Sequence, residues 1–197
     1  MRPAVAAVIL AAGRGTRFHA GAKVVAELDS KPLVRHVAEA ALASQARPVL
    51  VVVGQAAEET AAALAGLDVR LVCGAGFEMA MSRSLKAGLA AIPPSAPGAL
   101  ILLADMPWIS ASLIDRLIDA FETSAHPDAV VPVHAGRRGN PVLLGRNLFK
   151  AVRGLEGDDG AGRILGTGVV ELAVEDAAVT IDVDTSDDLL RLGRDWR

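Results

Sequence analysis

The chain contains no tyrosine, and aromatic residues make up 3% of its 197 positions. Platforms that stack nucleic-acid bases are built from aromatic rings, so a single-strand-binding surface is a poor fit. Basic excess is missing as well. With a formal net charge of -3, the chain lacks the broad Lys/Arg footprint of a nucleic-acid binder. One cysteine, Cys73, excludes an internal disulfide and fits a reducing cytoplasm, the expected location. No apolar run approaches the roughly 20 residues that span a bilayer, so no membrane partner is expected. The opening stretch carries Arg2 and a short apolar run in the manner of a secretory signal. That run is short, however, and the fold needs it as a first strand. The four histidines, His19, His36, His126 and His134, show no metal-ligand spacing; His36 falls in a helical pattern and reads as structural. Cys73 ends an apolar run and reads as a buried thiol. Ser82 and Ser84 have no base beside them, which argues against a serine nucleophile.

What the chain has in quantity is small and branched apolar residues: 52% of positions are hydrophobic. That supplies a core for one globular domain over residues 1–197. Continuous apolar runs at residues 5–10, 49–53, 69–72, 100–103 and 129–131 are what strands buried on both faces look like. Helical patterns separate them at 32–44, 58–64 with Gly66 as a C-cap, 84–91 and 110–124 with a Ser cap. The alternation predicts an α/β fold with a doubly wound, mostly parallel sheet. After Pro132 the regularity breaks. Val133-His134, a turn over 135–139 and a return over 142–144 predict a β-hairpin elaboration in the C-terminal half. Apolar runs at 169–174 and 179–183 and a short helix at 186–192 follow. In open sheets of this kind ligands sit beyond the carboxyl ends of the strands, so the loops after residues 10, 53, 72 and 103 should share one mouth.

Chemistry-bearing residues collect at that mouth. The first strand runs into Ala11-Ala12-Gly13-Arg14-Gly15-Thr16-Arg17, with Lys23 shortly beyond. Bare backbone N–H groups and two cations delivered to one point make a seat for phosphates. Neither familiar glycine fingerprint fits: the last glycine of G-x-G-x-x-G is replaced by Phe18, no acid ends the second strand, and G-K-[ST] is absent. A dinucleotide oxidoreductase is therefore disfavoured. Asp105 lies just past the 100–103 run, where an oxygen ligand for Mg²⁺ belongs; a helix-capping role is the plainer alternative. Asp182 and Asp184 are two apart and face one side if extended, so a cation or strong donors should neutralise them. Asp187 and Asp188 read as first-turn acids of the last helix.

Taken in order, the stretches L-A-A-G-R-G-T-R-F, M-S-R-S-L at residues 81–85, A-D-M-P at 104–107, G-N-P-V at 139–142, G-D-D-G-A-G-R and D-V-D-T-S-D-D-L span nearly the whole chain. The set resembles the molybdopterin nucleotidyltransferase family, and within it the molybdenum cofactor cytidylyltransferases. The resemblance implies a Rossmann-like nucleotidyltransferase fold and a Mg²⁺-dependent transfer of CMP from CTP to molybdopterin, with release of pyrophosphate. It implies nucleotide contacts from Leu10, Ala11, Ala12, Gly13, Gly15, Thr16, Arg17, Lys23 and Ser82. Arg17, Lys23 and Asp105 would be catalytic, and Asp105, Asp182 and Asp184 would hold metal. Gly139, Asn140, Pro141, Asp158 and Gly160 would flank the acceptor. The onward partner would be a molybdoenzyme or its chaperone. Guanylyl-transferring relatives tend to read L-A-G-G where this chain has Leu10-Ala11-Ala12-Gly13, which favours cytidine. Guanylyl transfer and other phosphorylated small-molecule acceptors remain alternatives, as does a non-catalytic carrier that delivers the finished cofactor. The chain departs from the family pattern at Phe18, His19, Ala20, Ala80, Gly162 and Ser186.

Overall fold

The structure, a computed structural model, describes residues 4–13, 22–73 and 80–195. Its strands are β1 (Ala6–Ala11), β2 (Glu27–Leu28), β3 (Lys31–Pro32), β4 (Val49–Val53), β5 (Arg70–Cys73), β6 (Gly98–Leu103), β7 (Ala129–His134), β8 (Arg137–Arg138), β9 (Val142–Gly145) and β10 (Val169–Ala173). Its α-helices are α1 (Leu33–Ala43), α2 (Ala57–Ala63), α3 (Met81–Ala90), α4 (Ala111–Thr123), α5 (Phe149–Val152) and α6 (Ser186–Asp195).

The central sheet runs β10-β7-β9-β6-β1-β4-β5, with β8 attached to β7. β1 pairs in parallel with both β4 and β6, β4 with β5, and β7 with β10. β9 runs antiparallel between β6 and β7. This is the expected mostly parallel Rossmann-like α/β fold with an antiparallel insertion. The chain leaves β1 for β4 on one side and later returns to β6 on the other, so the switch point lies between β1 and β6. Open sheets of this kind place their ligands there.

Two-residue periodicity explains the layering. Val5, Ala7, Ile9 and Ala11 pack with Val34, Val37 and Ala41 of α1 and Leu113, Ile114 and Leu117 of α4. Ala6 and Val8 face the opposite layer, with Leu85 of α3 and Val152 of α5. Helices therefore cover both faces, and each large aliphatic side chain so buried contributes about 1.5–3 kcal/mol. α4 shows the local logic. The Ser110 hydroxyl caps it by accepting from the Leu113 N–H at 3.2 Å, while Leu113, Ile114, Leu117, Ile118 and Phe121 line its buried face. α3 lies unusually close to β1: a Cβ at Gly88 would fall 2.4 Å from Val8 Cγ1, so only glycine permits that approach.

Several expectations need correction. β5 is an exposed edge strand rather than a run buried on both faces, and Cys73 at its end is exposed. An outer strand has a neighbour on one side only, and hydrophobicity alone does not reveal that position. The hairpin is tighter than expected: His134 pairs with Arg137 across Ala135 and Gly136, whose φ angles are 48° and 76°. Two consecutive left-handed residues suit a two-residue turn between twisted strands. The chain then passes a cis Asn140–Pro141 bond into β9. The 179–183 run is no strand. Ala177–Thr180 forms a 3-10 turn that Asp176 caps by accepting from the Ala178 N–H, and an extended segment follows. Among the described residues no helix is long and apolar enough to cross a membrane.

Candidate active site

β1 and β6 end side by side, and the Ala104 N–H donates to the Leu10 carbonyl at 3.2 Å. From β1 the chain continues into Ala11 and Ala12, both buried, and Gly13, which is exposed. Gly15, Thr16 and Arg17, together with Phe18, His19 and Ala20, lie outside the described residues. From β6 the chain turns through Asp105 into buried Met106.

The C-terminal acids reach the same point through the backbone. The Val183 N–H donates to the Asp105 carbonyl at 2.9 Å, and Val183 is fully buried. Its neighbours Asp182 and Asp184 therefore turn outward together, as expected of residues two apart in an extended chain. Carboxylate oxygens of Asp105, Asp182 and Asp184 all lie within 4.8 Å of one another.

Lys23 opens a one-turn 3-10 helix, Lys23–Val25, anchored by buried Val24. Its ammonium donates to Asp105 Oδ2 at 2.7 Å and to Asp184 Oδ1 at 2.8 Å, with 10% of the side chain exposed. Burial pulls the Lys23 pKa down, but the two carboxylates more than offset this, and the net shift is upward. The Asp182 carboxyl is held above its ordinary value by partial desolvation and by the neighbouring Asp184 and Asp105 charges. The other Asp105 oxygen, Oδ1, is buried and has no hydrogen-bond partner among the described residues. Among the described residues, these three carboxylates stand beside one lysine ammonium. A buried oxygen without a hydrogen-bond partner among the described residues, in a cluster of carboxylates, fits an oxygen-loving divalent metal ion.

A cleft of about 180 Å³ opens beside the cluster, with Leu103, Met106 and Val179 on its apolar side, Arg137, Gly139 and Asn140 from the hairpin, and Asp182 at the acidic end. Gly139 lies against the 3-10 turn so closely that a Cβ would fall 2.2 Å from the Val179 carbonyl oxygen. That carbonyl accepts from the Asn140 N–H at 2.8 Å. Asp158 and Gly160 lie on a separate loop packed against the start of α3. The Ser82 hydroxyl, on a residue only 2% exposed, donates to the Gly157 carbonyl at 2.8 Å. Lys86 donates to the Leu155 carbonyl at 2.6 Å, and a Cβ at Gly160 would meet Met81 Sδ at 2.8 Å. Ser82 thus braces that loop, and Asp158 is exposed on it.

Two features escaped the sequence reading. Thr185 and Asp188 form a reciprocal capping box: Asp188 Oδ2 accepts from the Thr185 N–H at 2.9 Å, and Thr185 Oγ1 accepts from the Asp188 N–H at 3.1 Å. The T-x-x-D spacing was the available signal. Arg137 is the other. Nothing in its spacing marks it, because it reaches the cleft through the hairpin turn.

A mouth at a sheet switch point, with clustered carboxylates and a lysine beyond a glycine-rich strand end, defines a nucleotidyltransferase-type site. Residues 7–174 match the MobA-like NTP transferase domain. The chain belongs to this family. It is similar to Rv0371c of Mycobacterium tuberculosis H37Rv, with 28% identity, 98% of this chain and 100% of that one covered, and a TM-score of 0.87. A homologue from Mycobacterium sp. strain JC1 shares 33% identity over 99% of this chain and 98% of that one, with a TM-score of 0.84. A further Rv0371c structure is a complex with manganese. Among curated proteins, the bifunctional protein GlmU of Burkholderia orbicola (strain MC0-3) is 37% identical over 114 residues, 57% of this chain, and the match spans 25% of GlmU.

Proposed function

We propose that the chain, working as one domain over residues 1–197, is a Mg²⁺-dependent cytidylyltransferase that joins CMP from CTP to molybdopterin and releases pyrophosphate. The observation that carries this reading is the Asp105, Asp182 and Asp184 cluster around the Lys23 ammonium at the switch point. The L-A-A-G stretch at Leu10–Gly13 supports cytidine over guanosine, and the manganese complex of a relative supports a divalent ion in the cluster. In this reading Leu10, Ala11, Ala12 and Gly13 face the nucleotide, with Gly15, Thr16 and Arg17 following. Ser82 contributes through the loop it braces, whereas Gly139, Asn140, Pro141, Asp158 and Gly160 border the acceptor.

A phosphate oxygen of the acceptor forms a bond to the α-phosphorus of CTP. The bond from that phosphorus to the bridging oxygen breaks, and pyrophosphate leaves with the electron pair. No protein nucleophile is needed. Bound Mg²⁺ would polarise the phosphate oxygens and neutralise the charge that builds on them. Asp105, with its free Oδ1, and Asp182 and Asp184 would hold it. Lys23 donates hydrogen bonds from a desolvated position, where a fixed positive charge stabilises a developing anion far better than water does. Holding both substrates in line removes roughly 7–11 kcal/mol of the barrier as orientation. The free CTP pool and the unpaired Cys73 thiol suit a cytoplasmic setting, with a molybdoenzyme or its chaperone receiving the product.

The test is incubation with Mg²⁺, each labelled NTP in turn, and molybdopterin, with pyrophosphate release as the readout. Release with CTP is expected. Release with GTP alone would reassign the base, and no release with any NTP would sink the reading. A variant Asp105→Ala that still delivers cofactor to an apo-molybdoenzyme would instead point to a carrier.

A further inference from the structure

We propose that the cleft beside the acidic cluster is a binding site for a phosphomonoester group, and that Arg137 is the residue that selects it. The inference deepens the nucleotidyl-transfer reading, on which its place in the reaction rests. The cleft shares Asp182 with the acidic cluster, so an anion entering it meets a carboxylate at once. A compensating cation is required, and two arginines line the cleft. Arg138 is committed elsewhere: its Nε pairs with Glu171 at 2.7 Å. Arg137 makes no ion pair or hydrogen bond from its side chain among the described residues, and it is exposed. A planar guanidinium presents a fork of donors that matches phosphate oxygens two at a time, and an unpaired one beside an open cleft is suited to that task.

Position supports the same choice. Arg137 follows a two-residue turn whose conformation is set by Ala135 and Gly136, and it pairs with His134 across the hairpin. Two residues on, Gly139 is wedged against Val179, so the backbone carrying Arg137 is fixed from both sides. Size and polarity narrow the ligand. At about 180 Å³ and open to solvent, the cleft has room for a phosphate and part of an organic body. Leu103, Met106 and Val179 give that body an apolar wall, while the Asn140 side-chain amide, unbonded among the described residues, can receive a polar edge. A neutral sugar or alcohol would leave the Arg137 charge unmatched. In the reaction, the phosphomonoester dianion held there supplies the oxygen that bonds to the α-phosphorus of the NTP; pyrophosphate departs with the electrons of the broken bond, and no proton has to be removed from the attacking oxygen.

The experiment titrates the whole chain, saturated with CTP and Mg²⁺ so that the nucleotide seat is filled, with phenyl phosphate and, separately, with phenol. Binding is followed by calorimetry, and CTP occupancy by the thermal shift CTP causes. Wild type should bind phenyl phosphate and not phenol. Arg137→Gln should weaken phenyl phosphate at least about 10-fold, the loss expected for a charge-assisted pair, with the CTP shift unchanged. Arg153→Gln, which removes the same charge from an exposed position, should bind as wild type does. Equal affinity in wild type and Arg137→Gln, or an equal loss in both variants, overturns the proposal. If CTP causes no shift while phenyl phosphate binding still depends on Arg137, the cleft assignment stands and the nucleotidyl-transfer reading falls.

Discussion

At the scale of single residues, Lys23 is the pivot. Replacing it with Met removes the ammonium that pairs with both Asp105 and Asp184. Breaking a fully buried pair costs about 3–5 kcal/mol and an exposed one about 0.2–1. Because Asp184 is 46% exposed and water screens it, Lys23→Met should cost about 1–2 kcal/mol in denaturant unfolding. Added Mn²⁺ should recover more stability in the variant than in wild type, since the metal then supplies the missing charge. The pH dependence has a definite sign. The Lys23 pKa is raised in the folded state, so its stabilisation is fully present below the ordinary value of 10.5 and is lost as pH climbs through the raised one. The stability gap between wild type and Lys23→Met should stay flat from about pH 7 to 9 and close only at higher pH. Asp105→Asn keeps the shape but removes the charge on the orphaned oxygen. Turnover should fall at least about 100-fold, the loss seen for a single key electrostatic contact, with metal affinity falling alongside. The three acids were legible in the sequence because Asp105 follows the end of β6 and Asp182 and Asp184 stand two apart beside an apolar run. The pairing of Lys23 with Asp105 and Asp184 was not, because the bond to Asp184 joins positions 161 residues apart.

At the scale of elements, α6 and the hairpin carry the next predictions. The Thr185–Asp188 box satisfies the first turn of α6 from both directions. Asp188→Ala should cost about 0.5–1 kcal/mol, read as a lowered denaturation midpoint. The Asp188 pKa is lowered, chiefly by the Thr185 hydroxyl bond, so this contribution is present above the ordinary value of 3.8 and fades as pH falls through the lower folded value. Gly139→Ala puts a methyl where the Val179 carbonyl oxygen lies, 2.2 Å away. The hairpin must shift, at about 1–3 kcal/mol. The melting temperature should drop by several degrees, and Arg137 should move with the hairpin. The strand–helix alternation was readable because doubly buried strands and amphipathic helices leave distinct apolar patterns. The 179–183 run misled because Val179 and Val183 are both buried, as strand residues would be, while Val179 belongs to the tight turn that Asp176 caps. β5 misled because an edge position depends on which strands lie beside it, and local sequence does not record that.

At the scale of the whole molecule, ligand linkage gives the simplest check. A ligand that binds only the folded chain adds about 2.7 kcal/mol at 100 times its dissociation constant. CTP with Mg²⁺ should therefore raise the melting temperature by roughly 5–10 °C, more than GTP or ATP does. The backbone bond from Val183 to the Asp105 carbonyl has a consequence in the order of assembly. A chain made from its N-terminus presents Lys23 first and Asp105 later, and the acids flanking Val183 come after both. Until that later segment docks, only one of the three clustered acids is in place. Fraying there, even with the sheet intact, would disperse the cluster, so affinity for the proposed metal would report on whether the segment around Val183 is docked.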